Sequence, residues 1–193
     1  RQKWGDKYFS INSKGNISIT PEKKSAKIID LFKLVEELKS REINTPLIIR
    51  FNDILRDRIN ELHEAFSKAI KTYEYKNIYQ GVFPVKCNQQ KHVLEKILEF
   101  GEPWNFGLEV GSKSELLIGL SLLENHNSLL ICNGYKDTKY IEVATLARKL
   151  GKNPIIVIEQ TDEVKRIIET VKNLKAKPLL GIRAKLSSKS SGR

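Results

Sequence analysis

From Ile78 onward, five short apolar runs recur about every 25 residues, each followed by a segment with helical spacing of its apolar residues. The spacing predicts strands over 78–86, 105–110, 128–133, 154–159 and 178–184, with helices at about 90–100, 112–125, 137–150 and 161–174 between them. A helix between two strands returns the chain to its starting end, so the strands must run parallel. The runs are continuously apolar, as in Ile155-Ile156-Val157-Ile158, and that predicts a sheet buried on both faces. No GxGxxG turn follows any strand, which favours a (β/α) barrel over a dinucleotide-binding fold. A flavodoxin-like five-stranded domain is the structural alternative. A full barrel needs eight strands and about 250 residues, so the sequence holds a little over half of one. It also contains no methionine and trails off in Ser187-Ser188-Lys189-Ser190-Ser191. Both ends read as cut, and a fragment of a longer protein is expected.

The first 52 residues break this rhythm and are read as an amino-terminal α+β extension, with the barrel occupying 53–193. Turn residues Asn12-Ser13-Lys14-Gly15-Asn16 separate Tyr8-Phe9-Ser10-Ile11 from Ile17-Ser18-Ile19, a hairpin signature. A helix is expected over 25–39, a strand over Leu47 to Phe51, and then a long amphipathic helix carrying Ile54, Ile59, Leu62 and Phe66. The net charge of +11 raises the question of nucleic acid. The lysines are scattered without a basic block or interleaved aromatics, so a solvated surface is the reading and no nucleic-acid partner is expected. No stretch is apolar enough to span a membrane, and the amino end lacks a signal-peptide core. Cys87 and Cys132 both sit in apolar runs and read as buried thiols of a reducing, cytoplasmic compartment.

An apolar strand delivers its last residues to the mouth of an α/β fold, where chemistry is done. The polar residues closing the five strands are Lys86, Glu109, Asn133, Glu159 and Arg183. Asn133-Gly134 and Glu159 read most simply as cap and turn residues. Lys86, Glu109 and Arg183 are charges at the edge of a hydrophobic core, which is costly unless a partner is near. An amine there, made nucleophilic by burial and by neighbouring positive charge, is the group that would hold an aldehyde cofactor as a Schiff base. Cys87, next to Lys86 on the strand, should point to the opposite face and into the core. Ser112 and Glu115 form an S-x-x-E capping box, and Gly101 and Gly151 sit where left-handed helix stops are expected. His63, His92 and His126 have no metal-ligand spacing and are read as helix-surface residues.

The segment Val85-Lys86-Cys87-Asn88-Gln89 resembles the cofactor-lysine strand of the fold type III pyridoxal-phosphate decarboxylases. Trp4-Gly5 with Tyr8-Phe9-Ser10-Ile11-Asn12 is similar to the amino-terminal signature of the biosynthetic arginine decarboxylases of bacteria and plants. So are Phe106-Gly107-Leu108-Glu109-Val110-Gly111-Ser112-Lys113-Ser114-Glu115-Leu116, Cys132-Asn133-Gly134-Tyr135-Lys136-Asp137 and Gly181-Ile182-Arg183-Ala184-Lys185-Leu186. The resemblance runs collinearly through nearly the whole chain. It implies a partial (β/α)8 TIM barrel of the alanine racemase-like type, followed by a β-domain in a homo-oligomer. The implied reaction converts L-arginine to agmatine and CO2, the first step of polyamine biosynthesis from arginine. Lys86 would carry pyridoxal 5'-phosphate as a Schiff base, with Glu109 and Arg183 as cofactor neighbours; a mutual or structural salt bridge is their other reading. Magnesium is associated with the family, but no residues here look like its site. The stacking histidine, the glycine-rich phosphate loop, the acidic partner of the pyridine nitrogen and the β-domain are expected beyond Arg193. The 193-residue piece alone is therefore expected to be inactive. Competing readings are a non-catalytic pyridoxal-phosphate carrier barrel, a decarboxylase of ornithine, lysine or diaminopimelate, and, on charge alone, a nucleic-acid-binding protein.

Overall fold

The structure, a computed structural model, describes residue 5, residues 7–21 and residues 27–184. Trp4 of the amino-terminal motif, the first residues of the expected 25–39 helix, and Lys185-Leu186 with the serine-rich tail lie outside them. The chain divides into two compact units, Arg1–Glu74 and Tyr75–Arg193.

In the first unit the hairpin forms as its turn residues predict. Strand β1 (Phe9–Ile11) pairs antiparallel with β2 (Ile17–Ile19), and Asn12 Oδ1 accepts from the backbone N–H of Lys14 and Asn16. A third strand that the sequence does not announce, β3 (Ile29–Asp30), pairs with β2 and leads into helix α1 (Leu31–Ser40). The helix starts at residue 31 because Asp30 caps it, accepting from the N–H groups of Phe32 and Lys33. Donation from Asn16, with further bonds from Lys33, Asn12 and Phe32, outweighs burial and holds the Asp30 carboxyl below the ordinary range. The expected strand over Leu47–Phe51 is absent: these residues are irregular, join no described sheet, and leave Ile48 82% exposed. A β-branched run becomes a strand only where a ladder partner exists. Helix α2 (Asn52–Thr72) follows, and Tyr8 Oη donates to Asp57 of this helix at 2.5 Å. His63 is buried on α2, contrary to its reading as a surface residue.

The second unit carries the repeat. Its strands are β4 (Val82–Pro84), β5 (Gly107–Val110), β6 (Leu129–Cys132), β7 (Asn153–Ile158) and β8 (Leu179–Ile182). Helices α3 (Lys91–Gly101), α4 (Lys113–Leu122), α5 (Thr138–Lys149) and α6 (Thr161–Leu174) alternate with them. All described pairings are parallel, in the order β4-β5-β6-β7-β8. Each helix thus adds its strand to the same growing edge. A doubly wound sheet reverses direction at a switch point, so this order excludes the flavodoxin-like alternative and gives a partial (β/α) barrel.

Alternate strand residues Leu108, Val110, Leu130, Cys132 and Ile156 are fully buried against the helices, in a core with Leu94, Leu116, Ile141 and Ala144. Burying each large aliphatic side chain there contributes about 1.5–3 kcal/mol. The intervening residues Ile131, Ile155 and Val157 face the other way and are only half-buried, which corrects the expectation of burial on both faces. These residues line the sheet face turned away from the described helices. Gly151 is left-handed as expected, with φ +80. Gly101 is not: its φ is −89, the chain continues into a 3-10 turn, and Asn105 supplies the left-handed stop. Gly101 is glycine because a Cβ there would lie 2.3 Å from the Cβ of Phe106.

Candidate functional site

The carboxyl ends of the strands open into a concave cavity of about 630 Å³ whose wall includes Lys86, Glu109, Glu115, Asn133, Gly134 and Arg183. Pro84 ends β4 because it has no N–H to continue the ladder. Val85–Cys87 then form a 3-10 turn, so Lys86 sits two residues past the strand end rather than on it. Successive side chains of such a turn diverge by about 120°. Val85 enters the core, Lys86 reaches the cavity, and Cys87 faces solvent. This corrects the expectation that Cys87 lies on a strand and points into the core. Lys86 is itself 67% exposed, not buried, and its near charge is the Glu109 carboxylate, 3.9 Å from Nζ, rather than a cation.

Glu109 follows its strand into the cavity and is almost buried, with its Oε1 also accepting from Asn133 Nδ2 at 3.2 Å. Arg183 also lines the cavity, donating to Glu159 Oε2 at 2.9 Å. Glu109 and Arg183 thus do not pair with each other among the described residues. Glu159 Oε1 in turn accepts the N–H of Gly134 at 2.6 Å. Asn133 thus bonds Glu109, and Glu159 bonds both Gly134 and Arg183, so these residues hold two of the three charged residues besides shaping the turns. Gly134 has φ +74, and a Cβ on it would meet the carbonyl oxygen of Gly111 at 2.5 Å, so no other residue fits this approach.

Glu115 is the cavity residue that the sequence reading left as a mere cap. Its backbone N–H does bond Ser112 Oγ, at 3.2 Å, as a capping box requires. Its carboxylate instead receives the N–H of Gly111 at 2.7 Å and the side chain of Gln89 at 3.2 Å. It ties the turn after Lys86 to the turn after β5. Behind the cavity lies a buried ion pair with no exposed side-chain surface on either partner, Lys136 Nζ to Glu163 Oε1 at 3.3 Å.

Cys132 is buried, and that burial pushes its thiol up to about 12. Tyr140, beside it, donates to the carbonyl of Val110 at 3.1 Å. The contrast between the two thiols is measurable. Mass-mapped alkylation of the native protein near pH 8 is expected to label Cys87 at least about a hundredfold faster than Cys132, because Cys87 is exposed whereas Cys132 is buried and its thiolate disfavoured. Equal rates would contradict the burial of Cys132. Of the other two histidines, His92 lies exposed on α3, whereas His126 lies between α4 and β6 with Nδ1 3.0 Å from the Gly151 carbonyl oxygen. Among the described residues, no three His, Cys, Asp or Glu side chains are grouped to hold a metal ion. No described helix is long and apolar enough to cross a membrane.

A cavity that presents a primary amine, a carboxylate within 4 Å of it and a guanidinium suits a ligand bearing both a carbonyl carbon and an anionic group. The chain is 85% identical over 191 residues to a biosynthetic arginine decarboxylase of Prochlorococcus marinus, an alignment covering 99% of this chain. It is 59% identical over 190 residues to the protein of that name from a Synechococcus species, covering 98% of this chain. It spans about 30% of the length of both relatives. The crystal structure of the biosynthetic arginine decarboxylase from Campylobacter jejuni superimposes with a TM-score of 0.80 at 32% identity, over 93% of this chain and 29% of that one. The family described as pyridoxal-dependent decarboxylase, pyridoxal binding domain, matches residues 56–192, and with a parallel barrel sheet and a lysine at its mouth the chain belongs to that family.

Proposed function

We propose that the complete polypeptide decarboxylates L-arginine to agmatine and CO2, with Lys86 holding pyridoxal phosphate. The observation that carries the reading is the amine of Lys86 in the strand-end cavity, 3.9 Å from the Glu109 carboxylate. The donor set fits the cofactor: a primary amine can hold its aldehyde carbon, and the Arg183 guanidinium on the same wall favours an anionic group. The cavity of about 630 Å³ falls within the usual range for cofactor sites. When bound, pyridoxal phosphate supplies the electron sink that makes loss of CO2 from an amino acid feasible.

The chain's own residues prepare the site. Lys86 Nζ must shed a proton before it can act as a nucleophile, and Glu109 Oε1 is the near carboxylate to take it, directly or through one water. Asn133 holds that carboxylate in place by donating to the same oxygen. Glu159 holds Arg183 against the wall by accepting from its guanidinium. The division between extension and barrel at residues 52 and 53, a homo-oligomeric assembly and a cytoplasmic location belong to the same proposal. The family match opens at residue 56, within α2, whereas compactness divides the chain after Glu74 and leaves α2 in the first unit.

The substrate is tested by measuring CO2 release from the complete polypeptide with L-arginine, ornithine, lysine and diaminopimelate. Arginine is expected to be preferred in kcat/KM by about a hundredfold or more, the discrimination available to a site that hydrogen-bonds a polar side chain. Equal or better turnover of another basic amino acid would move the substrate assignment. Binding of the cofactor without CO2 release from any of them would favour a carrier.

A further inference from the structure

We infer that Lys136 and Glu163, the buried ion pair behind the cavity, are positioning residues that set Arg183 for the cofactor. This inference rests on the proposed pyridoxal-phosphate site and deepens it. Both side chains have 0% relative exposure, on a face of the barrel where apolar packing would be the cheaper solution. Their hydrogen bonds reach forward into the mouth. Lys136 Nζ donates to the carbonyl oxygen of Gly134. Glu163 Oε1 accepts the N–H of Lys136 at 3.0 Å, and Oε2 accepts the N–H of Glu159 at 2.9 Å.

One carboxylate thus clamps the turn after β6 to the turn after β7. The Gly134 residue is held on both sides, its carbonyl by Lys136 and its N–H by Glu159 Oε1 at 2.6 Å. Glu159 has its backbone fixed by Glu163 and its second oxygen bonded to Arg183 at 2.9 Å. Arg183 is 59% exposed, so its own packing does not fix it. Its place on the cavity wall depends on Glu159, and that of Glu159 on the buried pair. Support of this kind decides whether a site group lies at working distance or about 1 Å away from it.

The test compares pyridoxal-phosphate affinity, by absorbance titration, in four variants of the complete polypeptide. They are Arg183→Ala, Glu159→Gln, the neutralised pair Lys136→Met with Glu163→Gln, and the pair combined with Glu159→Gln. The neutralised pair leaves no lone buried charge, so it retains the fold better than either single change. It is expected to weaken cofactor binding about tenfold, on the scale of lost supporting contacts. Glu159→Gln should do the same, and the combination no more than either, because they act along one path. Near-native affinity in a folded neutralised pair, or fully multiplying losses, would overturn the inference. An unchanged affinity in Arg183→Ala would instead remove Arg183 from the proposed site, a distinguishable failure. Amide exchange in the cofactor-free wild type gives a readout free of folding artefacts. The N–H groups of Gly134, Lys136 and Glu159 are expected to exchange at least about a hundredfold slower than in an open chain, and free exchange would show that no clamp exists.

Discussion

Replacing Lys86 with alanine in the complete polypeptide is expected to abolish the absorbance of bound cofactor and to lower kcat/KM by about four orders of magnitude, roughly 5.5 kcal/mol. The size follows from what is removed. No other basic residue described on the cavity wall has a primary amine, since Arg183 ends in a guanidinium. The fold should not suffer. Lys86 is 67% exposed and its ion pair to Glu109 is 3.9 Å long, so that pair contributes at most about 1 kcal/mol to stability. Loss of activity with an unchanged unfolding transition is therefore the expected pattern. Lys86→Arg should be equally inactive, because it restores the charge beside Glu109 but not the nucleophile. If either variant kept the cofactor absorbance, the covalent role would belong to another amine. Glu109→Gln is expected to be milder, at about 10²–10³-fold in kcat/KM, as befits a proton acceptor rather than the attachment point.

The barrel sheet was legible because its signal is periodic. Apolar runs separated by helical stripes leave few alternatives, and each of the five runs contains the core of a strand in the structure. The ends of those runs were less legible. Pro84 cuts β4 short and turns Lys86 and Cys87 out of the strand, a local effect that reading the run as one apolar block overlooks. Leu47–Phe51 has strand composition but no ladder partner, and partners are decided by tertiary structure. For the site, charge at a strand end picked out Lys86, Glu109 and Arg183, and all three line one cavity. Glu115 was found as a cap but not as a cavity residue, since the pattern S-x-x-E does not say where the Glu carboxylate goes. Lys136 was visible only as one residue of the Cys132–Asp137 motif, and Glu163 carried no signal. They are 27 residues apart, each sits in a polar stretch, and they meet because the turn after β6 lies against the first turn of α6.

That hidden pair gives the largest expected effect on stability. Lys136→Met leaves the Glu163 carboxylate buried without its cation, and Glu163→Gln leaves the Lys136 ammonium buried with the Gly134 carbonyl as its remaining partner. Each single change is expected to cost about 3–5 kcal/mol, read as a lower urea midpoint. The two together should cost clearly less than the sum, because the neutralised pair strands no charge. The pH dependence identifies which group titrates. Burial pushes the Glu163 carboxyl up, but the N–H groups of Glu159 and Lys136 and the ammonium of Lys136 outweigh it and hold the group below the ordinary range, with Arg166 a further cation nearby. A carboxyl depressed by folding stabilises fully above its unfolded value, about 4.3, and that stabilisation is lost as pH falls through the folded value. The gap in urea midpoint between wild type and Glu163→Gln should therefore be constant from neutral pH down to about 4.3 and narrow below it. A gap that stays constant down to pH about 3 would mean that Glu163 does not carry this part of the acid sensitivity.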